Sequence, residues 1–204
     1  MKLTLTALAA ASLLFVCGCS ETPQSAEKKE TAPPQPIKGR TALYQMFNMA
    51  RGWAPDVQVL ELNSIDLPDV KRERGKAAAW QATFVSRQLG RKRSYTDSVV
   101  EAEGNLHQGV FAGLEESWSG PNGAATPFLI AALKTDSDEV YETAEKKAAD
   151  YEKKNPNQLI SFLLEKTDQF PDPAWRVIWG ESVGTSNFSI FVDASTGAYL
   201  QTMR

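Results

Sequence analysis

One order of local patterns occurs twice in this chain, and that recurrence limits the folds open to it. In the first run, Leu43, Met46, Phe47 and Ala50 fall at helical spacing, so residues 41–51 read as a short amphipathic helix closed by Gly52 and Pro55. Val57, Val59, Leu60 and Leu62 then suggest a strand, and Leu67, Pro68 and the polar residues 69–76 a loop. Residues 77–88, with Trp80, Phe84 and Val85, read as a second strand, although their alanines also suit a helix. Arg91, Lys92 and Arg93 look like a hairpin tip, and residues 95–103 like the returning strand, ended by Gly104.

The second run begins at Asp136, which has capping-box spacing to Glu139. Val140, Ala144, Ala148 and Tyr151 share one helical face, with acidic residues early, lysines late and Pro156 at the end. Strands are expected over 159–164, 175–179, 188–193 and 198–202. Trp80 with Phe84 answers Trp175 with Trp179, and Gly104 answers Gly197. Two helix-then-strands segments imply an α+β fold, an antiparallel sheet with packed helices. The linking stretch 105–135 reads as a hairpin, with strands over 110–118 and 126–134 around the turn Ser119-Gly120-Pro121-Asn122-Gly123.

The N-terminus has a different character. Met1-Lys2 precedes an apolar run, residues 3–16, which is shorter than the roughly 20 residues of a membrane span and suits a secretory signal. The run ends in Val16-Cys17-Gly18-Cys19. This resembles the lipobox of bacterial lipoproteins, with Cys19 as the acylated residue. The resemblance implies a signal peptide over 1–18 and a lipid anchor in the cell envelope at Cys19. Ser20 in place of Asp implies an outer membrane, facing the periplasm, if the host is Gram-negative. Residues 19–39 are rich in Pro, Glu, Lys, Ser and Thr and read as a disordered tether spanning about 25 Å.

Pro173 to Val177, followed by Phe188 to Gly197, resemble the end of a PepSY domain, an apolar strand running into Asp193 and a Thr196-Gly197 turn. The resemblance implies two α-β-β-β-like, PepSY-like units, over 40–135 (with the connecting hairpin) and 136–204. It also implies a non-enzymatic envelope module that binds a protein or peptide, with a peptidase-modulating or scaffold role, and it brings no catalytic residue.

Chemistry is scarce. The chain has one histidine, His107, and two cysteines, too few for a Cys/His metal site, and no cofactor motif is present. Gly180-Glu181-Ser182-Val183-Gly184 spells a nucleophile elbow, but a strand is expected after it where the elbow needs a helix. An envelope hydrolase using serine or carboxylate chemistry is therefore the alternative, not the leading reading. Residues 38–104 carry 11 Lys and Arg against 8 Asp and Glu, net +3, and residues 105–204 carry 8 against 14, net −6. With an export signal, that balance argues against nucleic acid; the basic cluster with Arg91, Lys92 and Arg93 reads either as a solvated loop or as a surface that meets an acidic partner. Trp118, beside Gly120-Pro121, is the candidate exposed aromatic contact.

Overall fold

Asp136 caps its helix as its spacing to Glu139 predicts, with both halves of the capping box formed. That helix is one of two lying on a single sheet. The computed structural model describes residues 33–121 and 125–204, within the unit Pro33–Arg204. The signal peptide and Cys19 lie outside the described residues.

The first half runs β1 (Ile37–Lys38), α1 (Gly39–Trp53), β2 (Gln58–Ile65), β3 (Lys76–Ala77), β4 (Ala79–Ser86), β5 (Arg91–Ser98) and β6 (Gly109–Ser117). The second runs α2 (Ser137–Lys154), β7 (Ile160–Glu165), β8 (Ala174–Trp179), β9 (Ser189–Asp193) and β10 (Tyr199–Met203). One antiparallel sheet of eight strands has the order β10-β9-β8-β7-β2-β4-β5-β6. The fold is α+β, as expected. Each half is a helix and four strands of that sheet, one strand more than an α-β-β-β unit. The halves meet through their first strands, where Leu62 of β2 faces Leu164 of β7. A pseudo-two-fold axis therefore passes through the β2–β7 seam.

Both helices bury their apolar stripes on the same face. Leu43, Met46 and Ala50 of α1 and Val140, Ala144 and Ala148 of α2 share one core with Leu62, Phe84, Leu164, Val177 and Ile190. Alternation along the strands supplies the inward set.

Trp80 and Trp175 sit at the centre of this core, fully buried and edge-to-face at 6.1 Å. Each does the same job in its half. Trp80 Nε1 donates to the Ile37 carbonyl (3.0 Å), and Trp175 Nε1 donates to the Thr135 carbonyl (3.2 Å). Those acceptors stand at the same position ahead of α1 and α2. The two halves thus match at these two hydrogen bonds.

The helix starts also meet. Lys38 gives α1 no side-chain cap. Instead Ser137 Oγ accepts from Gly39 N (2.8 Å), and Asp136 Oδ1 accepts from Arg40 N (2.9 Å). One acidic cap therefore serves the positive ends of both helices.

Several expectations change. Pro36 is buried, and Ile37–Lys38 pair with Lys76–Ala77, so residues 33–39 belong to the domain rather than to the tether. Arg91, Lys92 and Arg93 open β5; the turn lies at residues 87–90, with Gly90 at φ 61°. Residues 77–88 are not helical: β3 and β4 cover most of them. β5 stops at Ser98, because Ser98 Oγ donates to the Val100 carbonyl and turns the chain. Residues 126–134 do not pair with β6. Phe128 instead bonds Val59 of β2, and a 3-10 turn (Ile130–Ala132) leads into α2.

Gly39 is held at a close approach. A Cβ there would lie 2.7 Å from Trp175 Cη2 and 2.9 Å from Trp80 Cη2. Gly39→Ala should lower the free energy of unfolding by about 1–3 kcal/mol in a urea titration. Gly52→Ala, whose Cβ meets nothing within 4 Å, should leave it unchanged or raise it by about 0.5–1 kcal/mol.

Candidate functional site

The helices leave the other face of the sheet without a helical cover, and strand register decides which side chains appear there. One row runs across all eight strands, each residue directly opposite the next: Phe111, Thr96, Gln81, Asn63, Leu163, Arg176, Phe191 and Gln201. A parallel row reads Ser94, Thr83, Glu61, Glu165, Ala174 and Asp193. The face is thus polar at its middle; Phe111 at one end is exposed, whereas Phe191 toward the other is buried against Phe170 and under Arg176.

The polar groups are tied to one another. Thr83 Oγ1 donates to Glu61 Oε1 (3.2 Å) and lies 3.2 Å from Ser94 Oγ. Arg176 Nε donates to Ser189 Oγ (2.9 Å), and its guanidinium sits 5.1 Å from the Phe191 ring centre. Glu61 and Glu165 face each other across the central strand pair. Burial first, and then the Glu61 charge, hold the Glu165 carboxyl above the usual carboxylate range, and Arg176 opposes this. This like-charge pair has no sequence signal, because it joins positions far apart in the chain.

The opposite face holds a second acid. Asp97 is 4% exposed, with Oδ2 lacking a partner among the described residues, and burial pushes its carboxyl up.

The basic triplet is split by strand alternation. Lys92 points to the open face and pairs with Glu116 (3.1 Å). Arg93 points the other way, donating through Nε to the Gly113 carbonyl (2.8 Å) and lying over Tyr95. Arg91 Nη1 donates to Ser117 Oγ (3.3 Å). Trp118 is half-buried, and its backbone N–H donates to the Gly90 carbonyl (2.9 Å). The structure therefore brings Trp118 and the triplet to one corner of the sheet, but not onto one surface.

The remaining chemical motifs fall in loops. Ser182 lies in the β8–β9 connection with Thr185 Oγ1 3.1 Å from its Oγ, and β9 rather than a helix follows. His107 Nδ1 pairs with Glu101 Oε1 (2.6 Å), and its ring packs on Phe111 at 4.4 Å. Glu115 accepts from Trp53 Nε1 (2.9 Å). Asp193 Oδ1 accepts from Ser195 N and Thr196 N, the turn role its sequence suggests. No group of three or more metal-ligating side chains occurs among the described residues.

No family model and no curated protein matches the chain. Among solved structures it is similar to a provisionally assigned lipoprotein of Clostridium difficile 630, at 12% identity and a TM-score of 0.47, over 85% of this chain and 95% of that one. So distant a likeness carries no functional argument.

Both raised carboxyls cost stability when ionised. A folded-state value above the unfolded one means the penalty is absent at low pH and grows as pH rises through the raised value. Glu165→Gln and Asp97→Asn should therefore each stabilise the protein at pH 7, the former by up to about 1 kcal/mol. Both gains should shrink toward zero in melts below pH 4, where the native carboxyls are protonated.

Proposed function

We propose that this chain is a lipid-anchored protein of the bacterial cell envelope, without catalysis of its own, whose helix-free sheet face binds a protein or peptide. The anchor reading rests on Val16-Cys17-Gly18-Cys19 after a short apolar run. Acyl chains on Cys19 contribute about 0.8 kcal/mol per buried CH₂, and more than one chain gives a stable hold. No described helix is long and apolar enough to cross a membrane. In a Gram-negative host, Ser20 favours the outer membrane, with the domain in the periplasm.

The observation that carries the binding reading is the row from Phe111 to Gln201. It combines the exposed Phe111 ring, amides and a guanidinium in register on a face neither helix covers. Such a mixture suits a protein surface, where aromatic and Arg anchors carry most of the affinity. The PepSY resemblance of residues 137–202 points the same way, toward a peptidase-modulating or scaffold role. Trp118, with Arg91, Lys92 and Arg93, then forms a secondary contact edge at the sheet corner.

Labelling cells with a fatty-acid analogue should mark the protein, and Cys19→Ser should abolish the label; a label that survives would end the anchor reading. Crosslinked capture from native membranes should recover a specific partner. Phe111→Asp or Asn63→Arg should weaken that capture at least about tenfold with unchanged thermal stability. Capture that ignores both substitutions would move the binding surface elsewhere.

A further inference from the structure

The β2–β7 seam is laddered only between Glu61–Asn63 and Leu163–Glu165. Beyond those residues the two strands fork at both ends. At one end the fork is filled by the chain itself. Val59 exchanges two backbone hydrogen bonds with Phe128 (2.9 Å each), and Thr126 N donates to the Lys166 carbonyl (2.7 Å). The segment from Ala125 to Phe128 thus bonds to both sides of the fork, and the Phe128 side chain is buried in the core.

The pseudo-two-fold axis carries that end onto the other, where Ser64 to Asp66 diverge from residues 160–162. There Phe162 N donates to the Ser64 side chain (2.8 Å) rather than to a ladder carbonyl. Strand alternation aims the Ser64 carbonyl and the backbone groups of Ile160 into the same gap, beyond the last β2–β7 pair, Asn63 with Leu163.

A cavity lies on each side of this gap. On the helix side, about 200 Å³ is lined by Ala77, Tyr141, Ile160 and Phe162, rimmed by the Asp66–Arg72 and Glu73–Lys76 ion pairs. On the open face, about 250 Å³ lies between Asn63, Ser161, Ile178 and the loop at Ser182. The positions standing as far ahead of α1 as Ala125 to Phe128 stand ahead of α2 are Glu27, Lys28, Lys29 and Glu30. They lie outside the described residues, and their sequence offers no counterpart to Phe128.

We propose that the open fork is a slot for an extended segment of a partner protein bearing one bulky apolar side chain. The segment pairs its backbone with Ser64 and Ile160 and seats that side chain against Ala77, Tyr141, Ile160 and Phe162. This is strand addition at an interior seam, with backbone bonds holding the segment and one pocket selecting it. The rim charges are already paired, so the slot selects shape and apolarity rather than charge. The proposal rests on the reading that the protein binds a protein or peptide, and it names where and in what form.

The test uses the full-length protein in detergent and the acetylated peptide of residues 125–130 as probe. Titration should shift the amide signals of Ser64, Asp66 and Ile160 saturably, and replacing Phe by Asp in the peptide should weaken binding at least about tenfold. No shift, equal binding of the Asp peptide, or shifts confined to Val59 and Lys166 would overturn the slot. Binding that appears only after deletion of residues 20–32 would also overturn it, because this chain's own tether would then be the occupant. A failed titration with successful membrane capture would retire the slot and leave partner binding intact; failure of both would retire both.

Discussion

The structure depends on the contact between two indoles beneath the start of α1. Trp80 and Trp175 meet edge-to-face at the pseudo-two-fold axis, and Gly39 leaves just enough room above them. Each ring carries a large apolar surface and one N–H, and burial is favourable only if that N–H finds an acceptor. Both find a carbonyl two positions ahead of a helix. The same bonds therefore fix where each helix begins relative to its strands. Because Asp136 and Ser137 cap both helices, the two halves do not close independently.

This geometry divides the molecule into two chemically distinct sides. Stacking both helices on one face exhausts the apolar positions of the strands there. The other face is left with residues chosen by alternation alone, and it gathers Glu61, Glu165, Thr83 and Arg176 at its middle. An opposed pair of carboxylates weakens a sheet. Glu61 and Glu165 therefore make sense as part of a surface rather than as part of the scaffold. The edge strand β6 carries an extra residue between Ala112 and Glu115, opposite Arg93 to Tyr95 of β5, and Leu114 at the irregularity is 88% exposed. Such an interruption discourages pairing with a second edge.

Much of the fold was legible in local patterns. The α2 cap, both helix stripes, the Asp193 turn and the matched aromatic pairs all act over a few residues, where spacing reports structure directly. Where reading failed, the deciding contact was remote. Residues 126–134 look like a strand seeking a neighbour in sequence, but Phe128 is claimed by Val59 across about a third of the chain. Arg91 to Arg93 look like a tip because they are charged. Yet Gly90, with its positive φ, takes the turn, and β6 supplies partners for all three. Asp97 was unremarkable in sequence because only sheet register puts it on the buried face.

The sequence by itself determined the α+β class, because periodicity and caps are local properties. It also carries the whole case for the anchor at Cys19. Only the tertiary structure decided that the two units share one sheet, that their first strands form its seam, and that the seam forks at both ends. Those features arise from pairing between residues a hundred or so positions apart. Where two strands from different halves meet, neither half's local pattern specifies how long the ladder runs or what fills the gap beyond it.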